Sequence, residues 1–582
     1  MLKAISPLLL FTVLFLAISL SSVRQKGSTF DECSHIPAGY TYVALGDFRM
    51  NPEHPPLIKL LSGIPLRFLH PRVETNDAEW KSSNQWQFGS KFLYEWNDAD
   101  QMIFWGRVPI ILLSLLLGIC VYFCAWDLYG WKAGCVALTL YLFNPDLLAH
   151  GQLVTTDLGL AFFMFVAVYA FYRALRRLTL WNAVLACLTV GLTLVTKFSG
   201  ILIFPMLALV GVAFAFSPTP INFLLPRKES ARRPIKSPRG KLVASAALVV
   251  ATALVSSIII WACYGFRYRI SPDPEVSRTL KWEHYWEKDG QAYEIARITR
   301  PLRLVPEAYT YGFLYALEST EKRIAFLSGD YSLQGWWYYF IVTFFVKTPI
   351  PLIVMILLGG LFIRRYGAGL AAEAMLLLPV GFYWLVALTS NLNIGHRHLL
   401  PVYPFLIVFA SKVARAFDEA RQQRALVVAC AILIAWNIAE TAFIYPHFLG
   451  YFNEIAGGPS GGYHWLVDSN LDWGQDLKGL AKYRREHPDE PFYLSYFGTG
   501  KPEFYGIQGQ FLPGFNLEMT RERLVPFSRV TSGATVAVSA TNLQCVYLRN
   551  QQVPGIEQFM QRLKSMQPVA NIGYSIFIYR IP

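Results

Sequence analysis

Two adjacent carboxylates, Asp31 and Glu32, follow directly on the first apolar run of the chain. His35, Asp47 and the run Asn51-Pro52-Glu53-His54-Pro55-Pro56-Leu57-Ile58-Lys59 come after them. Paired acids at a membrane exit suit proton abstraction, because one carboxylate can act as base while its neighbour orients it or raises its pKa. The same pair also reads as a solvated helix end. The prolines after His54 fix an extended turn, and the apolar segment from 57 to 69 reads as an interfacial helix with Lys59 at its start. A fixed turn that presents His54 and Lys59 near lipid headgroups can bind a phosphate.

Other ionisable residues border later apolar stretches. Asp146 and His150 flank the third, Asp157 opens the fourth after Thr155-Thr156, Lys197 separates the fifth from the sixth, and His396-Arg397-His398 opens the tenth. Charge at membrane depth is costly, so each is a functional candidate. Each also has a plainer reading: Thr156-Asp157 as a helix cap, Lys197 and Arg397 as cations reaching to headgroups, and the two histidines as structural. Trp336-Trp337-Tyr338-Tyr339-Phe340 reads as an aromatic belt, and Lys347 as either an interfacial anchor or a phosphate ligand. Between Tyr451 and Asp476, acids, amides and glycines crowd together. That is loop chemistry suited to sugar hydroxyls or a hard cation, or a turn network capping the helix before Leu477, and no calcium-loop spacing is met. Six of the eight cysteines lie in apolar runs without metal-ligand spacing. Cys33 and Cys545 lie outside such runs, and whether they pair stays open.

These residues need elements to hold them. Of the 582 residues, 54% are hydrophobic and only 16% charged, against about 25% charged in globular chains, which excludes disordered and coiled-coil classes and argues against a purely soluble enzyme. About eleven stretches have spanning character, near 4–22, 105–125, 133–148, 157–175, 180–196, 199–216, 242–264, 345–363, 373–390, 398–414 and 425–445. The first also reads as a cleaved signal peptide. With a cytoplasmic amino terminus, the inside loops hold eighteen basic residues, Arg227, Lys228, Arg232 and Arg233 among them. The short outside loops hold two, Lys197 and Arg397. The positive-inside rule is therefore obeyed. The net charge of +13 is mostly topological, and nucleic acid is dropped as a partner. The expected architecture is an all-α polytopic membrane body over 1–445, with outer loops at 24–102 and 265–344 and a basic cytoplasmic loop at 217–241. A soluble α/β domain over 446–582 follows it on the outer side, with strands near 491–496, 535–539 and 575–579 and helices near 474–486 and 556–566.

The Asp-Glu pair outside the first span, the His-Pro-Pro-Leu-x-Lys element, the aspartate opening the fourth span and the Lys197-Phe198-Ser199-Gly200 turn resemble the membrane glycosyltransferases of the GT-C class. The branch is that of the protein O-mannosyltransferases and lipid A aminoarabinose transferases, and the resemblance covers about 1–415. The later part is similar to uncharacterised bacterial members and lacks the beta-trefoil insert of eukaryotic mannosyltransferases. The resemblance implies an inverting transfer from a polyprenyl-phosphate sugar to an acceptor hydroxyl on protein, lipid or glycan, at the outer face of what is expected to be a bacterial inner membrane. It implies Asp31 as base, assisted by Glu32. Lys59, Lys197 and Arg397, with His54 nearby, would stabilise the departing phosphate, Asp157 would line the cavity, and neither a metal nor an organic cofactor is implied beside the lipid-linked co-substrate. The rival readings are a transporter or lipid flippase, for which repeated halves and midplane charges are expected, and a non-catalytic assembly or receptor protein.

Overall fold

The computed structural model describes residues 2–223, 234–321, 323–515, 524–549 and 554–582. Arg227, Lys228, Arg232 and Arg233, and the Lys3 side chain, lie outside the described residues. Every apolar stretch is helical, and among the described residues eight helices are long enough to cross a bilayer: Ser6–Arg24, Ala99–Tyr129, Thr156–Arg176, Phe198–Ala215, Pro238–Cys263, Leu370–Leu388, His396–Glu419 and Arg424–Ile444. Trp131–Leu142 and Leu180–Leu194 are shorter, at 12 and 15 residues. The stretch near 345–363 is not one straight span. Tyr339–Lys347 and Ile350–Leu361 meet at 108°, because Pro349 forces Thr348 into an extended conformation and brings no N–H to continue the helix. The eleven expected spans thus become eight of spanning length, or nine with the bent pair counted as one.

The two most enclosed spans are His396–Glu419 and Thr156–Arg176, with 94% and 78% of their apolar windows buried. Both carry candidate site residues at one end. The other end of the bundle gathers the basic loops, where Lys132 pairs with Asp418, Arg176 with Asp127 and Arg365 with Glu419.

The first loop folds into helices Glu32–Leu45 and Leu57–Arg67, which touch backbone to backbone. A Cβ on Gly63 would lie 2.1 Å from the Gly39 carbonyl oxygen, so only glycine fits at this crossing. The helix expected at 57–69 is present, with Lys59 in its first turn. Cys33 Sγ lies 3.8 Å from the Trp86 carbonyl, and it forms no disulfide with Cys545.

The carboxy-terminal part holds a five-stranded sheet in the order Gln510–Phe511, Phe492–Ser495, Thr535–Ser539, Ile576–Arg580, Ala570–Ile572. The first three strands run parallel and the last two pair antiparallel. Helices Leu477–Glu486 and Ile556–Lys564 accompany it. The two central strands are buried throughout, as expected where both faces of a sheet are covered. Residues 448–470 fasten to the bundle. Lys347 Nζ donates to the carbonyls of Leu449 (3.0 Å), Tyr451 (2.7 Å) and Asn470 (2.8 Å), and Asn453 Nδ2 donates to Phe345 O and Thr348 O. Lys347 is therefore neither an interfacial anchor nor a phosphate ligand. It is a buried pin, donating to these three carbonyls and lying 3.3 Å from the buried Asp146 carboxylate.

Candidate active site

At the end of the bundle opposite the basic loops lies a cavity of about 800 Å³, bounded by the first loop, the spans and the carboxy-terminal domain. Asp31, His54, Asp157, Lys197 and Arg397 all border it. Four of these, from sequence segments far apart, form one ion-pair chain. Asp31 Oδ2 accepts from Arg397 Nη1 at 2.7 Å, Arg397 lies 3.6 Å from Asp157 Oδ2, and Asp157 Oδ1 accepts from Lys197 Nζ at 2.6 Å. The Arg397 guanidinium stacks 4.3 Å above the Trp473 ring. Lys197 and Arg397 thus hold carboxylates rather than reaching to headgroups. Asp157 takes both cations in the first turn of its helix and caps nothing.

Local structure explains the reach of Asp31. It stands at the N-cap of helix Glu32–Leu45 with helical backbone angles, and its side chain caps no backbone N–H, so the carboxylate is free to turn into the cavity. Burial alone would raise this carboxyl, but the nearby Arg397 and His35 outweigh burial and hold it below the ordinary aspartate range. His35 Nδ1 lies 2.7 Å from the Val154 carbonyl. A carbonyl only accepts, so Nδ1 carries the proton and Nε2 is left as an acceptor. Burial lowers its pKa.

Two expected site residues stand elsewhere. Glu32 does not border the cavity. It is wholly buried against Arg107, taking Nη2 at 2.6 Å and Nε at 2.8 Å, and it also accepts from Thr29 N and Oγ1 and from Val154 N. Burial opposes its ionisation, yet Arg107 and these bonds keep it below the ordinary glutamate range. Its place is to lock the first loop onto helix Ala99–Tyr129, because a carboxylate with five donors has no capacity left to assist a base. Lys59 is likewise saturated. Its three N–H groups go to Asn51 O (2.5 Å), Asn51 Oδ1 (3.0 Å) and His54 O (2.8 Å), and burial pushes its pKa down to about 7. It shapes the His-Pro-Pro turn instead of meeting a phosphate. His54 does border the cavity, but burial, with His35 and the neighbouring lysines, drives it well below its ordinary pKa, so it is a neutral imidazole.

The cavity also brings in residues outside the catalytic and phosphate-binding set expected from the sequence. Glu53 borders it, and burial with the Asp31 charge raises its pKa. His398 Nδ1 lies 3.4 Å from Lys197 Nζ, unlike His396, which is buried against the Tyr403 hydroxyl at 2.6 Å. Arg323 is exposed at the cavity and makes no ion pair among the described residues. Asp468, in a left-handed backbone conformation (φ 55°), accepts from Tyr547 Oη and Ser469 N, and burial raises its pKa. Asp468 lies within the polar block of 451–476, whose acids and amides gave the only hint. Among the described residues no three His, Cys, Asp or Glu side chains converge as a metal-binding set.

Residues 8–268 match the family model described as dolichyl-phosphate-mannose-protein mannosyltransferase. No curated protein matches the chain. Among solved structures, ArnT from Cupriavidus metallidurans bound to undecaprenyl phosphate aligns over 98% of this chain and 97% of its own, at 13% identity and a TM-score of 0.47. The apo form of the Archaeoglobus fulgidus oligosaccharyltransferase aligns over 86% of this chain and 63% of its own, at 13% identity and a TM-score of 0.42. The resemblance read from the first-loop motifs holds: through residues 8–268, this integral membrane chain is similar to the dolichyl-phosphate-mannose-protein mannosyltransferases, glycosyltransferases of the GT-C class.

Proposed function

We propose that the chain transfers a sugar from a polyprenyl-phosphate donor to an acceptor hydroxyl, with inversion, at the outer face of a bacterial inner membrane. Asp31 is the catalytic base. The observation that carries this reading is the placement of Asp31: an uncapped carboxylate, kept ionised by Arg397 at 2.7 Å, on a cavity that also holds Lys197 and Arg323. In the proposed step the acceptor oxygen attacks the anomeric carbon and gives its proton to Asp31. The bond from that carbon to the donor's phosphate oxygen breaks, and its electron pair leaves on the phosphate. Lys197 and Arg397 are already matched by Asp157 and Asp31. Arg323, which borders the cavity and makes no ion pair among the described residues, although its charge reaches Asp31, Glu53 and Asp468, is assigned to the leaving phosphate beside them. Charge neutralisation is assigned to these side chains, and the lipid-linked sugar is a co-substrate. The donor class is supported by the family description, which names a dolichyl phosphate sugar.

The test is Asp31→Asn in purified protein given a panel of polyprenyl-phosphate sugars. Loss of a general base costs about 10²–10⁴ in rate, so transfer should fall by at least about a hundredfold while thermal stabilisation by undecaprenyl phosphate is kept. Undiminished transfer would remove Asp31 from the base role.

A further inference from the structure

The reading of Asp31 leaves its acceptor unassigned, and the inference here rests on that reading. One side of the cavity is a wall of nearly parallel rings. Phe30 comes from the first loop, and Phe497, Phe515 and Tyr547 from the carboxy-terminal domain. Phe497 and Tyr547 stack at 5.7 Å with 3° between planes, Phe515 and Tyr547 at 4.7 Å and 29°, and Phe30 lies 5.6 Å and 24° from Phe497. Phe497 is buried, whereas Phe30, Phe515 and Tyr547 are each only partly so. Aromatic side chains left partly exposed in a concave site are ligand surface more often than core.

Carboxylates mark the edges of this wall. Asp31 follows Phe30 in the chain, and the Tyr547 hydroxyl donates to Asp468, whose other oxygen accepts from Ser469 N. Four apolar residues of the lining, Ile201, Leu202, Val386 and Ala387, come from membrane helices, while Phe313, Leu317 and Leu333 come from the second outer loop. An isoprenoid tail arriving from the bilayer meets that lining, while the ring wall belongs to the segments outside the bundle. A flat apolar face edged by hydrogen-bond acceptors matches a pyranose, which shows C–H groups on its faces and hydroxyl donors around its rim.

We propose that the carboxy-terminal domain builds an acceptor subsite for a saccharide, so that the hydroxyl offered to Asp31 is a sugar hydroxyl and the product a glycosidic bond. Saturation-transfer NMR on the purified full-length protein, in a detergent without a sugar headgroup, tests this with mannobiose, chitobiose and maltose as probes and a serine-containing peptide beside them. Irradiation of aromatic protons should saturate ring C–H protons of at least one disaccharide. The signal should drop at least tenfold in Phe515→Leu and Tyr547→Leu and fall less in Tyr547→Phe, which keeps the ring and loses only the bond to Asp468. Thermal stabilisation by undecaprenyl phosphate should persist in all three variants, which also shows that they are folded.

The subsite is overturned if no disaccharide is saturated, if the peptide alone is, if both leucine variants keep the signal, or if they lose the lipid response instead, which would make the wall a lipid site. The outcome is separable from the base assignment. Undiminished transfer by Asp31→Asn with disaccharide binding intact fails the catalytic reading alone. A dead Asp31→Asn beside a wild type that binds no disaccharide fails the subsite alone.

Discussion

At Asp31 two opposed effects set the chemistry. Burial works against its negative charge, and the nearby Arg397, with His35, works for it more strongly. Take the cation away and burial prevails, so Arg397→Gln should raise the Asp31 pKa. The proposed base is active only when deprotonated. The acid limb of the kcat–pH profile therefore shifts toward higher pH, with activity reduced near neutrality and recovering as pH rises. A profile that keeps its position while only KM changes would mean that Arg397 serves the donor and not the base. The same accounting of partners explains Glu32 and Lys59. Each looks reactive in the sequence, yet the one has five donors and the other three acceptors, all supplied by the protein.

At the scale of elements, the site depends on how the bent helix pair holds the segment after the last span. Lys347 ends helix Tyr339–Lys347 just before Pro349 breaks the chain direction, and its three bonds fasten Leu449, Tyr451 and Asn470. Asn470 Oδ1 in turn accepts from His396 N, beside Arg397. Hydrogen bonds from a charged donor contribute about 1.5–3 kcal/mol each, and not additively. Lys347→Met should therefore cost at least about 2 kcal/mol locally. Amide hydrogen exchange should rise across residues 448–470 while strands Phe492–Ser495 and Thr535–Ser539 stay protected. Equal protection in the variant would show that packing alone holds the segment. From the sequence, the helices, three strands and the residues Asp31, Asp157, Lys197 and Arg397 were legible, because apolar length and charge at membrane depth are properties of a single segment. The Glu32–Arg107 pair, 75 residues apart in the chain, and the ring wall were not. Both depend on which distant segments meet, and neither periodicity nor composition encodes that meeting.

For the whole molecule, the distribution of charge ties architecture to reaction. The basic loops gather at one end of the bundle, and the cavity and the sheet domain share the other. If positively charged loops remain in the cytoplasm, the cavity opens outward, where the proposed lipid-linked donor would enter from the bilayer. Arg239, in the first turn of helix Pro238–Cys263, and Lys482, in helix Leu477–Glu486, are exposed on opposite sides of this arrangement. Single cysteines placed there in a background lacking the eight native ones should respond differently to a membrane-impermeant maleimide. Lys482→Cys should label once the outer side is accessible, with the inner membrane still sealed, and Arg239→Cys only after that membrane is permeabilised. The reverse pattern would turn the cavity to the cytoplasm, where a lipid donor displayed on the outer leaflet could not reach Asp31.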